Sequence, residues 1–137
     1  MNKIKVLLVD DSAVVRQVLT RIINSHPKME VCAAAQDPIF AMHHMNKHWP
    51  DVIILDVEMP RMDGFELATH MRNDDRLRHV PVIMITSRSG DKHRERARQI
   101  GVKHYLGKPY QENDLLDTID QIIRVAPESS AMYRADA

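Results

Sequence analysis

The chain has 137 residues with 19 basic and 19 acidic side chains, for a formal net charge of zero. That length suits one domain able to bury about 70% of its unfolded surface, and the balanced charge excludes a global field drawing it to nucleic acid or to an anionic membrane. One cysteine, Cys32 within the apolar residues 31–35, excludes an internal disulfide and reads as a small core residue in a reducing compartment.

The opening MNKIKVLLVDD has too short an apolar run for a signal peptide, and no run nears the roughly 18 residues of a membrane-spanning helix. The expectation is a cytoplasmic protein with no membrane contact. Residues 4–9, IKVLLV, read as a first strand. Ser12 then stands as an N-cap, and Val15, Val18, Leu19, Ile22 and Ile23 recur at helical spacing up to about Ser25. Residues 29–35, MEVCAAA, read as a second strand. Asp37-Pro38 is a cap followed by proline at the first helical position, opening a helix to about His48 that Trp49-Pro50 stops. The third strand is DVIIL, residues 51–55, followed by the loop DVEMPRMDG. Phe65, Leu67, Ala68 and Met71 mark a helix over about 65–73, and residues 80–86, VPVIMIT, read as strand four with Pro81 near its start. A charged helix over about 90–100 ends at Gly101, VKHYL (102–106) reads as strand five, and Leu115, Leu116, Ile119, Ile122 and Ile123 mark a last amphipathic helix. From Ala126 onward the sequence has no period and reads as a flexible tail or linker stub. Alternating strands and helices, with near-continuous apolar strands, point to an open α/β domain around a parallel sheet.

Ligands of such sheets bind beyond the carboxyl ends of the strands. Strand one ends in Asp10-Asp11, strand three in Asp56, strand four in Thr86-Ser87, and strand five leads into Lys108-Pro109. Three acids crowded together would repel one another and shift pKa values upward unless a cation resolves the repulsion. Oxygen ligands and retained waters are what Mg²⁺ prefers. A carboxylate beside Mg²⁺, a lysine and a hydroxyl is a set suited to phosphoryl transfer: the carboxylate as nucleophile, the others neutralising the phosphoryl oxygens.

These stretches together resemble the receiver domain of two-component response regulators, the CheY-like superfamily. VLLVDDSAVVRQVL is similar to the family's opening strand, acidic pair and first helix, and DVIILDVEMPRMDG to its phosphoacceptor strand and following loop. PVIMITS and HYLGKPY carry the threonine, the aromatic and the Lys-Pro pair. The resemblance covers about residues 3–125, with the receiver domain over 1–125 and the tail over 126–137. It implies a flavodoxin-like, doubly wound (βα)5 sandwich with strand order 2-1-3-4-5. It implies Asp56 as phosphoacceptor, and Asp10, Asp11 and Asp56 with the backbone carbonyl of Glu58 as Mg²⁺ ligands, Mn²⁺ being able to substitute. It further implies Thr86 and Lys108 as phosphate contacts, Thr86 and Tyr105 as switch residues, and a cis Lys108–Pro109 bond. The implied activity is a switch and not an enzyme beyond its own phosphorylation and dephosphorylation. The phosphoryl group would come from a histidine kinase or phosphotransfer domain, and the output would pass to an effector protein on the helix 4–strand 5–helix 5 face, with no nucleic acid bound directly. Residues 1–64 look like the receiver of chemotaxis methylesterases, and residues 65–119 more like receivers of chemotaxis-type hybrid kinases. A chemotaxis-type signalling role follows, with a receiver excised from a larger methylesterase as the alternative.

Other features carry second readings. Glu58 and Arg88 stand where aspartyl-phosphate lifetime would be tuned. His44 and His48 have i,i+4 spacing but no acid or cysteine partner, which favours a solvated helix face over a metal site. Between Thr86 and Lys108, seven Lys and Arg against two acids leave a local excess of five positive charges, read as a solvated face or a docking surface for an acidic protein. A haloacid-dehalogenase-type phosphatase would use an Asp nucleophile with Glu58 as second acid, but it wants a cap or a longer core and leaves Asp10-Asp11 unexplained. A flavodoxin-like flavin carrier would need a phosphate loop where this chain has acids.

Overall fold

A computed structural model describes residues 3–47, 49–57, 64–86 and 91–125. Five strands and five helices alternate: β1 (Ile4–Val9), α1 (Ala13–Asn24), β2 (Met29–Ala35), α2 (Pro38–Lys47), β3 (Val52–Asp56), α3 (Gly64–Arg72), β4 (Val82–Thr86), α4 (Asp91–Ile100), β5 (His104–Gly107) and α5 (Glu112–Val125). The strands are all parallel in the order β2-β1-β3-β4-β5. This is the flavodoxin-like arrangement expected from the sequence.

The period-2 alternation of β1, β3 and β4 divides the core into two layers. Leu7, Val9, Ile53, Leu55 and Met84 point to one face, where Ala41 and Met45 of α2, Phe65, Leu67 and Met71 of α3 and Ala97 of α4 cover them. Val6, Leu8, Val52, Ile54, Ile83 and Ile85 point to the other, under Leu19 and Ile23 of α1 and Leu115, Ile119 and Ile122 of α5. Burial of strands on both faces is why they read as unbroken apolar runs. Losing one of these leucines, isoleucines or methionines to alanine costs about 2–5 kcal/mol.

Both capping expectations hold. The Ser12 hydroxyl accepts from the Val15 N–H at 3.3 Å, and the Asp37 carboxylate from Ile39 and Phe40 at 2.9 and 3.0 Å. Three strand boundaries differ from expectation. β3 runs on through Asp56, because Asp56 still pairs with Ile85 across the sheet. β4 starts at Val82 and not at Val80: the Val80 N–H is taken by the Leu77 carbonyl in a turn, though the Pro81 carbonyl already accepts from Ile53. β5 starts at His104 and not at Val102, since Gly101 and Val102 donate to the carbonyls of Arg98 and Ala97 and so finish α4 before the chain can extend. The third helix begins at Gly64 and ends at Arg72. Cys32 is half-buried against the α2–α4 core, and burial pushes its thiol pKa up. Of the residues read as tail, 126–137 lie outside the described residues, as does His48.

Candidate functional site

The carboxyl ends of β1, β3, β4 and β5 meet at one edge of the sheet. Val9 pairs with Leu55, Asp56 with Ile85, and Thr86 with Gly107, so the residues just beyond these pairs come together without any help from long loops. Asp10 leaves β1 with its N–H donated to the Ala35 carbonyl of β2 at 3.1 Å. Its carboxylate accepts from the Ser12 N–H at 2.9 Å. Asp10 and Asp56 are only 4% and 3% exposed, whereas Asp11 faces solvent. One oxygen from each of the three carboxylates lies within 4.8 Å of the others.

Lys108 enters from β5. Its Nζ lies 3.4 Å from Asp56 Oδ1, and its backbone N–H donates to the Thr86 carbonyl at 2.8 Å. The Lys108–Pro109 peptide bond is cis. Thr86, fully buried at the end of β4, stands one strand over from Asp56. The structure thus brings Asp10, Asp11, Asp56 and Lys108 into one cluster, with Thr86 at the end of the adjoining strand. Tyr105, two residues upstream of the end of β5, is half-buried against the α2–α4 core, and the Arg94 guanidinium lies 5.3 Å from its ring centre. Glu58 and Arg88 lie outside the described residues.

Electrostatics at the edge follow from burial and from charge count. Burial is the main reason the Asp10 carboxyl titrates above its ordinary value, with Asp11 adding to the rise; the Ser12 N–H, Lys108 and Arg16 pull the other way. Burial also pushes the Tyr110 phenol up, helped by the charge of Asp10. Three converging carboxylates, two of them buried, have Lys108 at 3.4 Å from Asp56, with Arg16 adding positive charge near Asp10. An all-oxygen donor set left with surplus negative charge suits a hard divalent cation, and these residues fit one.

Two contributors escaped the sequence reading. Arg16, one turn into α1, donates from Nη1 to the Asp10 carbonyl at 2.8 Å and so ties the helix to the turn that carries the acids. Its i+4 position from the Ser12 cap was the available signal, since that is the helix face above the turn. Gly64 is the other. Its N–H donates to the Val57 carbonyl at 2.9 Å, and a Cβ there would stand 2.7 Å from the Asp56 carbonyl oxygen, so only glycine lets α3 start this close to the end of β3. The basic residues of α4 are partly spoken for within the fold: Arg94 covers Tyr105, Arg96 lies 4.3 Å from the Phe65 ring centre, and Arg98 pairs with Glu95 at 2.7 Å.

Residues 6–120 match the family described as response regulator receiver domain. The chain belongs to this family. Receivers in solved structures share its fold. The response regulator domain of Thermotoga maritima CheB superposes with a TM-score of 0.80 at 32% identity, over 90% of this chain and 98% of that one. Vibrio cholerae chemotaxis protein CheY4 does so with a TM-score of 0.81 at 32% identity, over 88% and 98%. Among characterised relatives, a protein-glutamate methylesterase/protein-glutamine glutaminase of Bordetella pertussis is 50% identical over 111 residues, which is 80% of this chain and 31% of that protein. A methylesterase of the same description from Burkholderia lata is 40% identical over 98% of this chain and 40% of that protein. The chain therefore spans about a third of the length of the relatives it matches. An alignment of 111 residues is longer than residues 1–64, so the likeness to methylesterases continues into the second half of this receiver. Family membership sets aside the phosphatase and flavin-carrier readings. Among the described residues no helix is long and apolar enough to cross a membrane.

Proposed function

We propose that this receiver is switched by transfer of a phosphoryl group onto Asp56, the donor being a phosphohistidine on a histidine kinase or phosphotransfer domain. The supporting observation is the approach of Lys108 Nζ to within 3.4 Å of Asp56 Oδ1 beside the clustered oxygens of Asp10 and Asp11. An Asp56 oxygen attacks phosphorus in line, an O–P bond forms, and the N–P bond to the donor histidine breaks with its electron pair returning to the imidazole. Asp10, Asp11 and Asp56, joined by the Glu58 carbonyl, would hold Mg²⁺ or Mn²⁺. When bound, the cation supplies neutralisation of phosphoryl charge. Lys108 neutralises a second oxygen, and the Thr86 hydroxyl donates to a third. Arg16 and Ser12 keep Asp10 aimed at the cluster.

Phosphorylation then biases two pre-existing states. Thr86 moves toward the phosphate, Tyr105 turns into the vacated space, and the α4–β5–α5 face changes for an effector protein. Moving such an equilibrium from almost wholly off to almost wholly on takes about 5.5 kcal/mol of differential stabilisation. Charge-assisted bonds from Thr86 and Lys108 to the phosphate are the source. Because the relatives are methylesterases, the output fits chemotaxis-type signalling in the cytoplasm. The effector would be a methylesterase domain joined through residues 126–137, the receiver itself ending near 125 and catalysing nothing beyond its own phosphorylation and dephosphorylation. Glu58 and Arg88 would set phosphoryl lifetime at the mouth of the site.

The test is labelling with acetyl phosphate and Mg²⁺, comparing the native chain with Asp56→Asn. Acid-labile, hydroxylamine-sensitive phosphate is expected on the native chain and not on the variant. Equal labelling of both would end the proposal.

A further inference from the structure

The opposite end of the sheet holds a feature that phosphoryl transfer does not use. Beside the amino ends of β4 and β5, a cavity of about 430 Å³ opens between α3, α4 and α5. Its floor is aliphatic, built from Leu77, Val80, Ile122 and their neighbours. Its rim carries Arg72, Arg78, His79, Lys103 and His104. Among the described residues, no acidic side chain lines it. A chain that is neutral overall therefore concentrates positive charge around one apolar hollow.

The rim is constructed, not incidental. Gly101 ends α4 at φ +101°, and the Arg72 guanidinium lies across its bare Cα in the space a Cβ would take. Arg78 Nε donates to His79 Nε2 at 3.4 Å, which links two of the rim's side chains. His104 is held below its ordinary histidine value first by burial and second by the neighbouring charge of Lys103.

We propose that this cavity binds a small amphipathic organic anion, with an apolar, largely flat body on the aliphatic floor and one carboxylate, sulfonate or phosphate at the Arg72–Lys103 rim. The volume falls within the range of small-molecule sites, roughly 300–1,000 Å³, and the lining has their pattern of apolar walls with a few converging polar groups. Nucleic acid and anionic membranes instead take extended cationic stripes, whereas these five side chains converge on one concavity. The site is independent of the Asp56 reading, since it shares no residue with the carboxylate cluster.

The probe is 1-anilinonaphthalene-8-sulfonate, a flat apolar anion whose fluorescence rises on leaving water, with neutral N-phenyl-1-naphthylamine as its uncharged counterpart. One saturable site is expected on the native chain, with amide NMR shifts at Gly101, Lys103 and His104 and none at Asp10 or Asp56. The His104 titration midpoint should move upward when the anion is bound. Arg72→Gln combined with Lys103→Gln, both exposed positions, should weaken the anion about threefold to tenfold while leaving the neutral dye unchanged. Shifts centred elsewhere on the native chain, an unmoved His104 midpoint, or equal losses for both dyes in the double variant would each overturn the proposal.

Discussion

The two ends of one sheet carry opposite chemistry. At the carboxyl end, three carboxylates converge with Lys108; at the amino end, five basic side chains and, among the described residues, no acid ring an apolar hollow. Each end also depends on one glycine, for different reasons. Gly64 has no Cβ because the backbone of Asp56 and Val57 fills that space, while Gly101 adopts a left-handed φ and gives up its Cβ volume to a flexible arginine. The lesson is that a parallel sheet exports charge to both edges, and that the local environment decides what each edge does with it. Buried acids at one edge need a cation to sit together, whereas the exposed cations at the other are individually tolerable in water.

The largest effect separates the two ends directly. Asp56→Asn should abolish phosphoryl labelling, while Arg72→Gln leaves it unchanged; loss in both would mean that the ends are coupled through the sheet. Next, Asp11→Asn should lower Mg²⁺ affinity by at least about tenfold, the scale already found when outer-sphere partners of metal ligands are lost. NMR titration with Mg²⁺ measures it, and the amino-end dyes should not respond.

The two glycines give a smaller, paired contrast. Gly64→Ala should destabilise the fold by about 1–3 kcal/mol through overpacking against backbone that cannot yield, and it should slow labelling as well because the displaced atoms belong to Asp56. Gly101→Ala should cost a similar 1–3 kcal/mol, about that of a strained left-handed residue, yet leave labelling intact. Denaturant melts paired with acetyl phosphate kinetics distinguish them.

The smallest effect is a pH dependence. His104 titrates below its ordinary value of 6.5 in the fold, so the folded state favours its neutral form. Its contribution to stability is therefore fully present above 6.5 and is lost as pH falls through the lower folded value. Stability of the native chain should drop more between pH 7.5 and pH 5 than that of His104→Gln, and equal slopes would remove His104 from the account.

Much of the carboxyl end was legible in the chain. Short-range signals sufficed for the caps at Ser12 and Asp37, for β1 and β2, and for the acids following their strands, because apolar periodicity and side-chain capping act within a few residues. The starts of β4 and β5 were misplaced because Val80 and Val102 look like strand residues while their N–H groups belong to a turn and to the end of α4. Arg16 was passed over because its i+4 spacing from the Ser12 cap marks only the helix face above the turn, and does not tell whether a side chain there reaches back to a backbone carbonyl.

By itself the sequence determined the alternation of strands and helices, the burial of strands on both faces, and which acids stand at strand ends. Tertiary structure alone decided that oxygens of Asp10, Asp11 and Asp56 fall within 4.8 Å of one another, that Lys108 reaches Asp56 from 52 residues away, and that residues of α3, the α4–β5 joint and α5 enclose a basic cavity. The reason is physical. Periodicity and caps report interactions between near neighbours in the chain, whereas a site is made by sheet register and helix packing, which bring together residues that no local pattern connects.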